Sequence, residues 1–67
     1  MSEYANTEEL MTVDQVAALL GMSEKAIYNR VSRRAIPYIK LGGSLRFRRS
    51  DIERWIKENT VQPESAS

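Results

Sequence analysis

The stretch Gly21–Ser50, GMSEKAIYNRVSRRAIPYIKLGGSLRFRRS, decides the fold. Its first half has the marks of a helix start. Ser23 can cap the free amides of a first turn, and Glu24 suits the positive end of the helix dipole. Met22, just before the cap, is spaced to pack on Ile27 as a hydrophobic staple. Ile27 and Val31 mark the buried side. After Ala35 the period changes. Pro37 forbids continued helix and biases Ile36 toward extended geometry. Two alternating runs follow, Tyr38–Leu41 and Leu45–Arg48, about a Gly42-Gly43-Ser44 turn, which predicts a β-hairpin. In that pairing Ile39, Leu41, Leu45 and Phe47 face inward, and Lys40, Arg46 and Arg48 face out.

Working outward, the preceding segment is a second well-marked helix. Thr12 is an N-cap with Gln15 three residues on, a capping box, and Met11 can staple to Val16. Val13, Val16, Ala17 and Leu20 follow helical spacing on one face. Gly21 can take the left-handed conformation that ends the helix. Two helices joined by Gly21-Met22-Ser23 form a helix-turn-helix candidate, although any helical hairpin would show the same signs. Downstream, a last helix is expected from Ser50, with Glu53 completing another capping box, Asp51 in the first turn, and Ile52, Trp55 and Ile56 as its apolar stripe. Residues 1–9 and 60–67 are polar and without period, and are expected to be flexible tails around a folded unit of residues 10–59. The expected class is mainly α with a small β-hairpin, in the order α-α-β-β-α.

Composition narrows the chemistry. The chain has 67 residues, with no cysteine and no histidine. Disulfides, zinc-finger sites, cysteine nucleophiles and imidazole acid–base chemistry are therefore excluded. No nucleophile, base and orienting group can be assembled from what remains, so no catalysis, cofactor or metal is expected. The acidic start does not resemble a leader, and the run Val16–Leu20 is too short to span a bilayer. A cytoplasmic protein is the expectation.

The net charge of +1 hides a segregated pattern. From Lys25 to Arg49 stand Lys25, Arg30, Arg33, Arg34, Lys40, Arg46, Arg48 and Arg49, with no acid among them. Such a block is the footprint of a polyanion binder, or else the solvated face of a small domain. On a helical wheel the side opposite Ile27 and Val31 holds Lys25, Asn29 and Ser32, flanked by Ala26, Tyr28 and Arg33. Lysine and arginine can donate to guanine, and asparagine can pair with adenine, in a major groove. Ser23 and the amides around it can hold a phosphate. Tyr28 can instead pack on the turn. Arg30 and Arg34 lie nearer the buried side, where they would snorkel over the core or touch the backbone. Trp55 and Phe47 are spaced as core residues. The hairpin's cations flank a thin glycine tip suited to a minor groove or to phosphates, or simply keep an edge strand from aggregating.

The segments VDQVAALLGMS, IYNRV, IPYIKLG and RFRRSDIERWI, in this order, resemble the excisionase-like branch of the MerR-type winged helix-turn-helix family. The resemblance covers residues 10–59. It implies a recognition helix from Ser23 to about Arg34 in the major groove, and residues 38–48 as the wing. Helix contacts would fall on Lys25, Ala26, Tyr28, Asn29, Arg30 and Arg33, and wing contacts on Lys40, Ser44, Arg46 and Arg48. Three departures stand out. Ala26 replaces a frequent hydroxyl residue, and Gly43 a frequent basic wing tip. Arg34 stands where glycine is common; a left-handed arginine would cost about 1–2 kcal/mol, which favours a different helix end.

The resemblance further implies double-stranded DNA as the partner. Its members include excisionases that bend DNA and direct an integrase, with weak self-association or cooperative binding on adjacent sites. The short chain, with nothing expected beyond the binding unit, suits that role. A small transcriptional regulator of a phage or mobile element would use the same contacts. A third possibility, from another class, is a protein-interaction adaptor whose basic face meets an acidic partner.

Overall fold

The computed structural model describes residues 9–63 of the 67. The expectation of a tail therefore falls mainly on residues 1–8 and 64–67, which lie outside the described residues. The elements are β1 (Leu10–Met11), α1 (Val13–Leu20), α2 (Glu24–Ser32), β2 (Ile39–Leu41), β3 (Ser44–Arg48) and α3 (Arg49–Glu58). The expected order of two helices, a hairpin and a helix is present, with a two-residue strand added in front. That strand is too short to have a period, so nothing in the sequence pattern marks it.

Helix α1 starts as its residues predict. The Thr12 N–H donates to Gln15 Oε1 at 2.9 Å, and the Thr12 hydroxyl donates to the Asp14 carboxylate. It ends at Gly21, φ 66°, where the Met22 N–H reaches Ala17 O and the Gly21 N–H reaches Ala18 O. Helix α2 is capped by Ser23, whose Oγ accepts from the Ala26 N–H at 3.1 Å. The two helices pack on one another across this turn.

The far end of α2 departs from expectation. Regular helix stops at Ser32, and Arg34 does adopt the left-handed conformation, with φ 56°. It therefore bears the strain that was an argument against such an ending. Helix periodicity no longer applies to a residue in that conformation, so Arg34 does not lie toward the core. It is exposed.

The hairpin also departs in register. Leu41 pairs with Ser44, Lys40 with Leu45, and Ile39 with Arg46, so only Gly42 and Gly43 form the turn. Gly42 takes φ 59°, a conformation glycine enters without a Cβ penalty. The expected turn was one residue longer. A one-residue difference in register sends alternate side chains to opposite faces. Ile39 and Leu41 thus share the outer face with Arg46, and Leu41 is 50% exposed. Lys40 instead shares the inner face with Leu45 and Phe47.

Strands β1 and β2 flank β3 in an antiparallel sheet of order β1-β3-β2. Met11 pairs with Phe47 and Leu10 with Arg48. The core consists of Met11, Val13, Val16, Ala17, Ile27, Ile36, Phe47 and Ile52, with Val31, Tyr38, Leu45 and Trp55 among the residues packed around it. Phe47 is thus a core residue, and Trp55 packs half-buried against that core. Trp55 also donates from Nε1 to Ala35 O at 3.1 Å, tying α3 to the end of α2.

Helix α3 begins two residues earlier than a Ser50 cap implies, with Arg48 in the capping position. Two contacts account for the shift. The Arg49 N–H, an orphan donor of the first turn, is satisfied by Glu9 O across the sheet at 3.0 Å. The Arg48 guanidinium reaches Asp51 at 3.1 Å and secures that turn from outside.

Candidate nucleic-acid interface

The sequence of α2 distributes its side chains about the buried Ile27. At roughly 100° per residue, Lys25, Asn29 and Ser32 come out opposite it. All three are exposed, as are Tyr28 and Arg33. Ala26 is half-buried beside the Ser23 cap. Arg30 is also half-buried; its Nε is shielded from solvent and makes no hydrogen bond. It covers the core side of the helix, as its place on the wheel suggests.

The hairpin folds back beside this helix, and an open groove runs between them. From α2 the groove takes Tyr28, Val31 and Ser32, and from beyond the helix end Arg34. The hairpin contributes Lys40, Ser44, Leu45 and Arg46, with Tyr38 just before it. The register explains why Lys40 is there: it projects from the inner face of the ribbon, toward the helices. Arg46 starts from the outer face, and its guanidinium curls back to donate to Leu45 O at 2.8 Å. Lys25, Asn29 and Arg33 are not part of the groove wall. They occupy the adjoining exposed surface of the same helix.

The cations divide by what they already hold. Arg48 pairs with Asp51, Arg49 with Glu9 and Glu53, and Arg54 with Asp51. Among the described residues Lys25, Arg30, Arg33, Arg34, Lys40 and Arg46 have no carboxylate partner. The basic block read from the sequence is therefore two populations. Its C-terminal members brace the start of α3; of the others, Arg34, Lys40 and Arg46 line the groove, and Lys25 and Arg33 stand on the adjoining face of α2.

Acids are present in the groove too, which the run of cations did not suggest. Asp14 and Glu24 line it, because both helices of the pair begin there. In the sequence these residues have an obvious local role as first-turn carboxylates. The hydrogen bond from the Thr12 hydroxyl, aided by backbone amides, holds the Asp14 carboxyl below its ordinary pKa. Tyr38 carries no contact signal in the sequence, and helical spacing puts Arg34 toward the core, yet both line the groove. Only the course of the chain after α2 brings them to this wall.

Two helices meeting at a tight turn, a hairpin beside the second, and a third helix closing the core form one continuous unit. A family model described as a helix-turn-helix domain matches residues 10–60 of the 67. The chain belongs to the helix-turn-helix domain family. Comparison with curated proteins and with solved structures finds no match. In a helix-turn-helix the second helix is the one that enters the major groove, N-terminal residues foremost. Here that helix is α2. Among the described residues of this helix-turn-helix domain, no helix is long and apolar enough to cross a membrane. No group of three or more His, Cys, Asp or Glu side chains there is placed to hold a metal ion.

Proposed function

We propose that this helix-turn-helix domain binds double-stranded DNA with sequence preference. Helix α2 lies in the major groove, and the β2–β3 hairpin acts as a wing on the flanking backbone or minor groove. The observation that carries this reading is the shared groove: cations without carboxylate partners border it from the hairpin, Lys40 and Arg46, and from just beyond the end of α2, Arg34. Lys25, Asn29 and Arg33 supply donors for base edges. Ser23 and its capped amides meet a phosphate at the helix start. Lys40, Ser44 and Arg46 hold the backbone beside the groove. Arg48 and Arg30 are secondary contacts, since one already serves an ion pair and the other lies against the core.

Within that activity, we infer the role of an excisionase that bends DNA at attachment sites beside an integrase. The support is the resemblance of the segments from VDQVAALLGMS to RFRRSDIERWI. A transcriptional regulator of a phage or mobile element would grip DNA in the same way, and the two differ in whether the duplex is bent. An adaptor for an acidic protein would tolerate altered bases but not altered charge.

Selection of duplexes from a random pool tests the reading, followed by affinity measurement at several salt concentrations. If about four to six phosphates are neutralised, log affinity falls with log salt at a slope near −4 to −5. A flat response, or no enriched motif, overturns sequence-specific binding. Circular-permutation mobility of the selected site then separates a bending factor from one that leaves the duplex straight.

A further inference from the structure

The two helices of the motif end alike but with different residues. At the end of α1, the Met22 N–H bonds Ala17 O at 2.9 Å and the Gly21 N–H bonds Ala18 O at 3.3 Å. At the end of α2, the Ala35 N–H bonds Arg30 O at 2.8 Å and the Arg34 N–H bonds Val31 O at 2.9 Å. Both are Schellman closures, which need one residue in the left-handed region. Gly21 fills that place in the first, and Arg34 fills it in the second. Arg34 is the one residue other than glycine with positive φ among the described residues. A side chain with a Cβ adopts that conformation only at a cost.

Beyond the two backbone hydrogen bonds of the closure, no side-chain contact of Arg34 among the described residues offsets that cost. Arg34 is exposed, and among the described residues it makes no ion pair or side-chain hydrogen bond. Its surroundings are informative. It lines the groove between α2 and the hairpin, facing a lining that includes Lys40 and Arg46, the Asp14 and Glu24 carboxylates at the helix starts, and Tyr28 and Tyr38. A planar guanidinium with several donors, lacking an internal partner in a concavity that holds two more cations, matches a phosphodiester oxygen. Strained backbone positions persist where function uses them.

We propose that Arg34 is a phosphate-binding residue, its guanidinium gripping the DNA backbone in this groove at the expense of fold stability. The proposal rests on the duplex-binding reading above and adds a contact to it. It has a two-sided consequence: one substitution moves stability and affinity in opposite directions.

The test uses the full chain and a mixed-sequence duplex, because a phosphate contact acts on any sequence. Arg34→Gly removes both the strain and the cation. The melting midpoint rises by about 4 °C. Affinity falls about fivefold to tenfold at low salt, and the magnitude of the log–log salt slope drops by about 0.9. Arg34→Lys keeps the charge, so the slope stays at the wild-type value while the midpoint does not rise. Arg34→Asn, which tolerates the left-handed region, reproduces the loss of affinity and controls for any peculiarity of glycine. Wild-type affinity and slope in the glycine and asparagine variants overturn this proposal alone. Failure of the wild-type chain to bind any duplex overturns it together with the reading beneath it.

Discussion

Lys40 stands directly across the hairpin from Leu45, so its ammonium leaves the ribbon on the side that covers the core. From there it borders the groove beside α2 rather than pointing away from it. The position of one cation on the wing thus depends on the two-residue turn at Gly42 and Gly43.

Lys40→Ala is expected to weaken binding to all duplexes alike and to reduce the salt slope by about 0.9, with no change in the selected motif. Affinities on matched and mismatched sites at two salt concentrations check this. A change in motif would make Lys40 a base reader instead.

Asn29 lies exposed on the side of α2 opposite Ile27, on the face proposed to meet base edges. Asn29→Ala should cost about 1–3 kcal/mol on the preferred site and relax the preference at one base pair. Repeating the duplex selection with the variant identifies that base pair.

Glu24 brings a carboxylate to the wall of a groove proposed to take phosphates. Removing the repulsion in Glu24→Gln is expected to tighten non-specific binding about twofold to fivefold at low salt, with the gain lost as salt rises. Weaker binding by the variant would mean that Glu24 contacts the duplex through an acceptor interaction, for instance with a cytosine amine.

The depressed pKa of Asp14 has a definite sign. Because the folded value is lower than the unfolded one, its contribution is present above the ordinary aspartate pKa, about 3.9, and is lost as pH falls through the folded value. Asp14→Asn should therefore flatten the acid side of the stability profile as pH falls through and below the ordinary aspartate pKa. Thermal melts of both chains across that range measure the difference.

Phe47 is completely buried in a small core. Phe47→Ala is expected to cost about 3–5 kcal/mol, comparable with the whole stability of a small domain. The variant should lack a cooperative melt. Retention of a sharp transition would show that the sheet and helices can repack.

What could be read from the residues followed their local physics. Thr12 with Gln15, Ser23, and the spacing of Val13, Val16, Ile27 and Ile52 depend on neighbours within a turn or two, and the structure has the helices they imply. The features that escaped depend on chain geometry between elements. Gly42-Gly43-Ser44 can close a hairpin with two turn residues or three, and composition does not distinguish them, yet the choice decides which way Ile39, Leu41 and Lys40 point. The exposure of Arg34 follows from a left-handed turn beyond the reach of helical periodicity. The acids at the groove were visible as residues but not as neighbours, because Asp14 and Glu24 meet only when both helix starts converge. The pairing of Arg48 with Asp51 follows from where β3 gives way to α3, which residue type alone does not fix.

The backbone of Glu9–Met11 is fastened to Phe47–Arg49, far along the chain. The start of the domain and the junction of β3 with α3 hold each other in place like a clasp. Loosening either one detaches Met11 from Phe47, and that opens the centre of the molecule to water. Denaturation should then proceed as a single event rather than by peeling away one helix at a time.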